Sequence, residues 1–180
     1  ANLTLYSSTP TITNSTIRSS SSYGLSATGS SPLLPTNTFA NNAAIGAYLS
    51  SGSGAAKPLV QNNTFTGNTS FPLHLELTNF PSTLAGNTYT ANTTQAIELG
   101  GGSLGADLTL PLDSLPYVVT STINVNQAQS TSPVTLTLQP GVTLKFAANT
   151  GLTLGYYGPT YPGVLNAPGT ASQPILFTSN

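Results

Sequence analysis

The sequence has no cysteine, methionine or tryptophan, and only 4% of its residues carry charge, where about 25% is usual. Without cysteine there is no disulfide framework and no thiolate metal site. Three basic residues, Arg18, Lys57 and Lys145, cannot lay down the cationic footprint that nucleic acid requires. Four acids (Glu76, Glu98, Asp107, Asp113) and a single histidine, His74, leave little for acid–base chemistry. No apolar run approaches the roughly 18 residues of a membrane span. Glu, Lys, Arg, Met and Gln are scarce, and with them the usual material of helices.

What is present points the other way. The 180 residues include 29 threonines, 22 serines, 16 asparagines and 24 leucines, and 38% are hydrophobic. That apolar fraction supports a packed core rather than disorder. Thr, Val, Ile and Tyr favour strands, so the expectation is an all-β chain. It opens at Ala1 without a methionine or a leader, which reads as a mature exported product or a piece of a longer protein. Asn-x-Ser/Thr acceptors at Asn2, Asn14, Asn62, Asn68 and Asn92 are candidate glycosylation sites outside the cell.

A repeat organises the first hundred residues. Ile17, Phe39, Phe65 and Tyr89 recur at intervals of 22, 26 and 24 positions. Five residues before each lies an aliphatic: Ile12, Leu34, Val60 and Leu84. Eight and ten residues after each come Leu25 and Ala27, Ala47 and Leu49, Leu73 and Leu75, Ile97 and Leu99. A period near 24, with short alternating strands and polar bends, predicts a β-solenoid in which equivalent residues stack into columns. It predicts seven to eight coils. The asparagines of the repeated Asn-Thr pairs are expected to adopt left-handed backbone and to form ladders from turn to turn.

The second half follows another rule. Val134–Leu138 and Val142–Phe146 alternate on either side of Pro140-Gly141, and Leu152–Leu154, Val164–Ala167 and Ile175–Ser179 continue the series. Between the halves, Leu99–Asp107 is rich in glycine. The expected division is therefore 1–106 and 107–180.

Asn62-Asn-Thr-Phe-Thr-Gly-Asn68 resembles the repeat of right-handed parallel β-helix proteins, the fold of pectate lyases and many microbial surface proteins. Leu138-Gln-Pro-Gly-Val-Thr-Leu-Lys-Phe146 and Leu165–Ser179 resemble opening coils of secreted β-helix domains in large bacterial and archaeal surface proteins. Their order here is inverted, yet Pro174–Asn180 runs on into Ala1–Ile12 as an uninterrupted succession of coils. Neither end carries a polar cap or a charged terminal strand, and a solenoid without caps exposes strand edges. Leu3, Leu5, Ile12, Ile175 and Phe177 are accordingly the candidate stacking residues for a head-to-tail homopolymer or tandem array, a contact that does not close.

The resemblance also raises polysaccharide cleavage, which ordinarily takes two carboxylates. Alignment of the repeats places Ser26, Tyr48, His74 and Glu98 in one outward column, with Glu76 beside His74. This patch reads either as an acid–base pair or sugar-binding strip, or as a solvated cross-strand pair. Ser26 lies two turns from His74, too far for a nucleophile and its base. Asp107 and Asp113 fit turn and capping duty better than calcium. Tyr156, Tyr157 and Tyr161, with Tyr48, His74 and Glu98, are candidate ligand or partner contacts. The expectation is a non-enzymatic extracellular structural protein without cofactor or metal. An adhesive, glycan-binding module is the alternative.

Overall fold

The computed structural model describes residues 1–50, 56–126, 132–155 and 162–180. They form two compact units, Ala1–Glu98 and Leu99–Asn180, and the break falls where the glycine-rich segment begins.

In the first unit the chain runs through β1 (Leu3–Tyr6), β2 (Thr16–Arg18), β3 (Leu25–Thr28), β4 (Leu33–Pro35), β5 (Thr38–Ala40) and β6 (Ala47–Leu49). It continues through β7 (Leu59–Gln61), β8 (Thr64–Thr66), β9 (Leu73–Glu76), β10 (Thr83–Ala85) and β11 (Thr88–Thr90), and reaches β12 (Ile97–Gly100). β1 pairs with β3 and every later partner is three strands on, all in parallel. One sheet runs β1-β3-β6-β9, a second β4-β7-β10, and a third β2-β5-β8-β11. Among the described residues the only helical turn is the 3-10 segment Leu77–Asn79.

The expected columns are the observed register. Ile17 pairs with Phe39, Phe39 with Phe65, and Phe65 with Tyr89. Leu34 pairs with Val60 and Val60 with Leu84. Alternation along each strand turns these residues inward, where Leu34, Val60, Phe39 and Phe65 are fully buried. Aromatic rings one coil apart can lie flat on one another: Phe39 and Phe65 stack at 4.9 Å between centroids, Phe65 and Tyr89 at 5.6 Å.

Asparagine makes the corners, and it divides the labour expected of it between two neighbouring positions. Left-handed backbone falls on Asn14, Thr36, Asn62 and Gly86, and five residues later on Ser19, Asn41, Gly67 and Ala91. The residue after each turns inward and is a ladder rung. The side chain of Asn37 accepts from the Ser15 N–H, Asn63 accepts from the Asn37 N–H at 2.8 Å, and Asn87 accepts from the Asn63 N–H at 2.9 Å. Each amide nitrogen reaches back to a carbonyl: Asn37 to Ile12, Asn63 to Leu34, Asn87 to Val60. A second ladder repeats this with Ser20, Asn42, Asn68 and Asn92, reaching back to Ile17, Phe39 and Phe65. Backbone groups that a tight bend would bury unpaired are thus satisfied by side chains. Gly67 and Gly86 are required where they stand, because a Cβ there would collide with the Asn41 and Asn62 side chains of the preceding coil.

The second unit contains β13 (Gly102–Ser103), β14 (Leu108–Leu110), β15 (Tyr117–Val119), β16 (Ile123–Val125), β17 (Val134–Leu138), β18 (Thr143–Phe146), β19 (Leu152–Leu154), β20 (Gly163–Asn166) and β21 (Leu176–Ser179). They pair in parallel as β15-β18-β21, β13-β16-β19 and β14-β17-β20. Leu110, Ile123, Val125, Leu136, Leu138 and Leu144 fill the interior. Tyr117 joins them because its hydroxyl donates to the Pro111 carbonyl at 2.8 Å. Burial, and then the nearby Asp113, push its pKa well above the ordinary phenol value. The chain makes about six turns, fewer than the seven to eight expected. The later coils here are longer than 24 residues, since the register partners Tyr117, Leu144 and Phe177 lie further apart in sequence than the columns of the first unit.

Candidate functional site

The outward column expected around His74 exists, with one ring more than foreseen. Tyr48 pairs with His74 between β6 and β9, and their rings stack at 4.1 Å. Beneath them Ser26 is the register partner of Tyr48, but it is small, and Tyr23 from the preceding corner lays its ring on Tyr48 at 4.9 Å. The patch is therefore Tyr23, Tyr48, His74 and Glu98 in a row. Its equivalence to the repeat columns made Tyr48 and His74 legible; Tyr23 lies off the column, and only the smallness of Ser26 hints at a space to fill.

His74 is not the solvated residue expected of an outward position. It is 5% exposed, closed in by Tyr48 and two carboxylates. Nδ1 lies 2.8 Å from Glu98 Oε2, and Nε2 lies 3.3 Å from Glu76 Oε1. Burial by itself pulls the His74 pKa down, but the hydrogen bonds to Glu76 and Glu98, together with their charge, more than reverse it, and the net shift is upward. The imidazolium form donates from both nitrogens, one to each acid. Burial, Glu76, Tyr23 and Glu98 in turn hold the Tyr48 pKa above its usual value.

The polar groups and ring faces of the patch are largely taken up within it. Both ring nitrogens of His74 are engaged, and Tyr48 separates it from Ser26. The stacked rings cover one another's faces, the surfaces a sugar would lie against. Asp113 accepts from Ser114 Oγ and the Leu115 N–H within a local turn, whereas Asp107 accepts the Thr135 N–H of the next coil at 2.8 Å. Among the described residues, no three His, Cys, Asp or Glu are placed to hold a metal ion. Tyr156, Tyr157 and Tyr161 lie outside the described residues.

The glycosylation candidates divide. Asn2, Asn14 and Asn62 are exposed. Asn68 and Asn92 require correction, because they are buried rungs whose amide nitrogens donate to the Phe39 and Phe65 carbonyls. A glycan on either would replace a ladder bond.

The candidate stacking residues sit on strand edges. Leu3 is 37% exposed, although its register partner Leu25 is fully buried; Phe177 is 43% exposed, although its partner Leu144 is fully buried. Leu5, Ile12 and Ile175 are half-buried. At the same open edge of the second unit, Leu154 and Leu176 are exposed, and Leu152 and Leu165 half-buried. The sequence reading did not single out these four, although strand parity in β19 and β20 marks Leu152, Leu154 and Leu165 as inward.

Residues 3–149 match the family model described as right-handed β-helix region. The chain belongs to the right-handed β-helix family. Comparison with curated proteins and with solved structures gives no match. The β-helix family contains both enzymes and non-enzymes, and its domains are commonly extracellular. Among the described residues of this β-helix, no helix is long and apolar enough to cross a membrane.

Proposed function

We propose that this β-helix is an extracellular, non-enzymatic structural protein whose coils stack head to tail, subunit on subunit or repeat on repeat, into a filament, stalk or surface fibre. The observation that carries the reading is the paired exposure of inward columns: Leu3 at the open edge of the first unit, Leu154 and Phe177 at that of the second. Each belongs to a column whose next residue is fully buried. Apolar side chains aligned over an unpaired strand edge are a template for another coil. A formal net charge of -1 offers almost no repulsion against self-association.

Electron microscopy of the purified protein tests this. Fibres are expected, and Leu3→Asp with Leu5→Asp should abolish them while β-sheet circular dichroism is retained. Monodisperse short particles at high concentration would overturn the proposal.

A second reading, an adhesive glycan-binding module, draws on the outer face of β2-β5-β8-β11. Thr16, Thr38, Thr64 and Thr88 form one outward row there, and Thr66 and Thr90 part of another. Binding on a glycan array that is lost when Thr64 and Thr88 become valine would favour it over the structural reading.

A further inference from the structure

We infer that the open edge of the second unit is covered by the first coil of a second copy in one defined register, β1 on β21, with Leu3 against Phe177 and Leu5 against Ser179. The inference rests on the stacking reading above and specifies its interface.

Backbone alternation supports the pairing. In a parallel ladder a residue that sends its N–H and C=O to one neighbour is followed by a residue that sends them to the other. Leu176 and Asn180 donate to Val142 and Phe146, so Phe177 and Ser179 direct theirs to the open side. On β1, Leu3 and Ser7 donate to Gly24 and Thr28, so Thr4 and Tyr6 direct theirs away from β3. With Leu3 opposite Phe177, the Thr4 N–H meets the Phe177 carbonyl and the Tyr6 N–H meets that of Ser179. The Thr4 carbonyl in turn receives the Ser179 N–H. A shift by one residue would set inward side chains against outward ones.

The columns choose between the registers that remain. The Thr120 N–H donates to the Leu99 carbonyl, which places Leu99 opposite Val119, and Val119 leads through Phe146 to Ser179. In the sequence repeat, Leu99 closes the column Leu5, Ala27, Leu49, Leu75. Leu5 over Ser179 therefore continues one column, and Leu3 over Phe177 the other.

The occupant must be a coil and not a lone strand, because three edges lie open together: β19, β20 and β21. The first unit presents three that follow one another around the coil in the same cyclic order, β1 for β21, the Thr11–Ile12 segment for β19 and β2 for β20, with Leu3, Leu5, Ile12 and Ile17 turned inward. Parallel direction, aliphatic interior and lack of inward charge agree on both sides.

The absence of cysteine makes the test clean. Paired parallel strands stand about 4.8 Å apart, within the roughly 4.4–6.8 Å that a disulfide spans between Cα atoms. The double variant Leu5→Cys/Ser179→Cys should give a ladder of covalent multimers on oxidation that collapses on reduction. Each single variant should give at most dimers, and the offset pair Leu3→Cys/Ser179→Cys no ladder. Thr4→Cys/Thr178→Cys, on the outward side of the same register, should reproduce the ladder if an inward cysteine disturbs folding. Fibres that persist while both in-register pairs fail to cross-link, or while the offset pair cross-links equally, would overturn the register and leave the stacking reading standing. Absence of wild-type assembly would overturn both.

Discussion

The two units build the same kind of coil by different means. The first holds its corners with side chains: two buried asparagine ladders, and stacked rings on both faces of its sheets. The second has no such ladder among its described residues and relies on longer alternating strands, Val134–Leu138 above all, with aliphatic columns between them. Coil length explains the difference. A ladder needs each corner directly above the last, and intervals of 22, 26 and 24 residues between rungs keep this while the two rows stay five residues apart. In the second unit the inward partners Tyr117, Leu144 and Phe177 are separated by longer and unequal stretches. Its corners cannot repeat, so its strands carry the register.

This contrast can be broken by mutation. Phe65→Ala removes the middle ring of an aromatic column that, among the described residues, belongs to the first unit, and should cost about 4 kcal/mol in chemical denaturation. Asn63→Ala should cost about 3 kcal/mol, because it leaves the Asn37 N–H and the Leu34 carbonyl buried without their partner. Asn124→Ala, an outward asparagine of the second unit, should change stability by no more than about 0.5 kcal/mol. Equal effects at Asn63 and Asn124 would remove the distinction between the units.

The charged patch offers a subtler lever. The His74 pKa is raised in the fold, so its contribution is fully present below the unfolded value of about 6.5 and is lost as pH rises through the folded value. Stability should therefore decline from near-neutral into alkaline pH, and His74→Gln should flatten that decline in pH-dependent melting. A wild-type curve that is already flat there would deny His74 its charged role. The smallest effect is expected at Ala91, whose φ of 54° is left-handed without being glycine. Ala91→Gly should stabilise by about 0.5–1 kcal/mol, a gain visible as a raised melting temperature.

The sequence made the strands of the first unit legible because four aligned segments placed the same residue type in the same column. Ile17, Phe39, Phe65 and Tyr89 needed nothing more than spacing and polarity. The corners were less legible, because left-handed backbone and ladder rungs both favour asparagine and stand side by side: Asn62 takes the first role and Asn63 the second. That adjacency also hid the burial of Asn68 and Asn92 behind acceptor motifs that look like surface features. The turn count came out slightly high because a uniform period cannot register the longer coils of the second unit. Burial of His74 was illegible for another reason: strand parity gives its direction, but Tyr48 and two carboxylates decide what covers it.

The distance between the two ladders has a consequence for how such a chain can change. Asn37 and Asn42, Asn63 and Asn68, Asn87 and Asn92 keep one spacing, while coil length varies around them. The five-residue segment is the fixed gauge of a track. Inserting or deleting a residue inside it would derail two rows of buried amides at once, whereas added loops elsewhere leave both rails in place. Growth of the molecule is thereby channelled into whole-coil duplication and loop extension, and any lineage of such chains should vary most where neither rail passes.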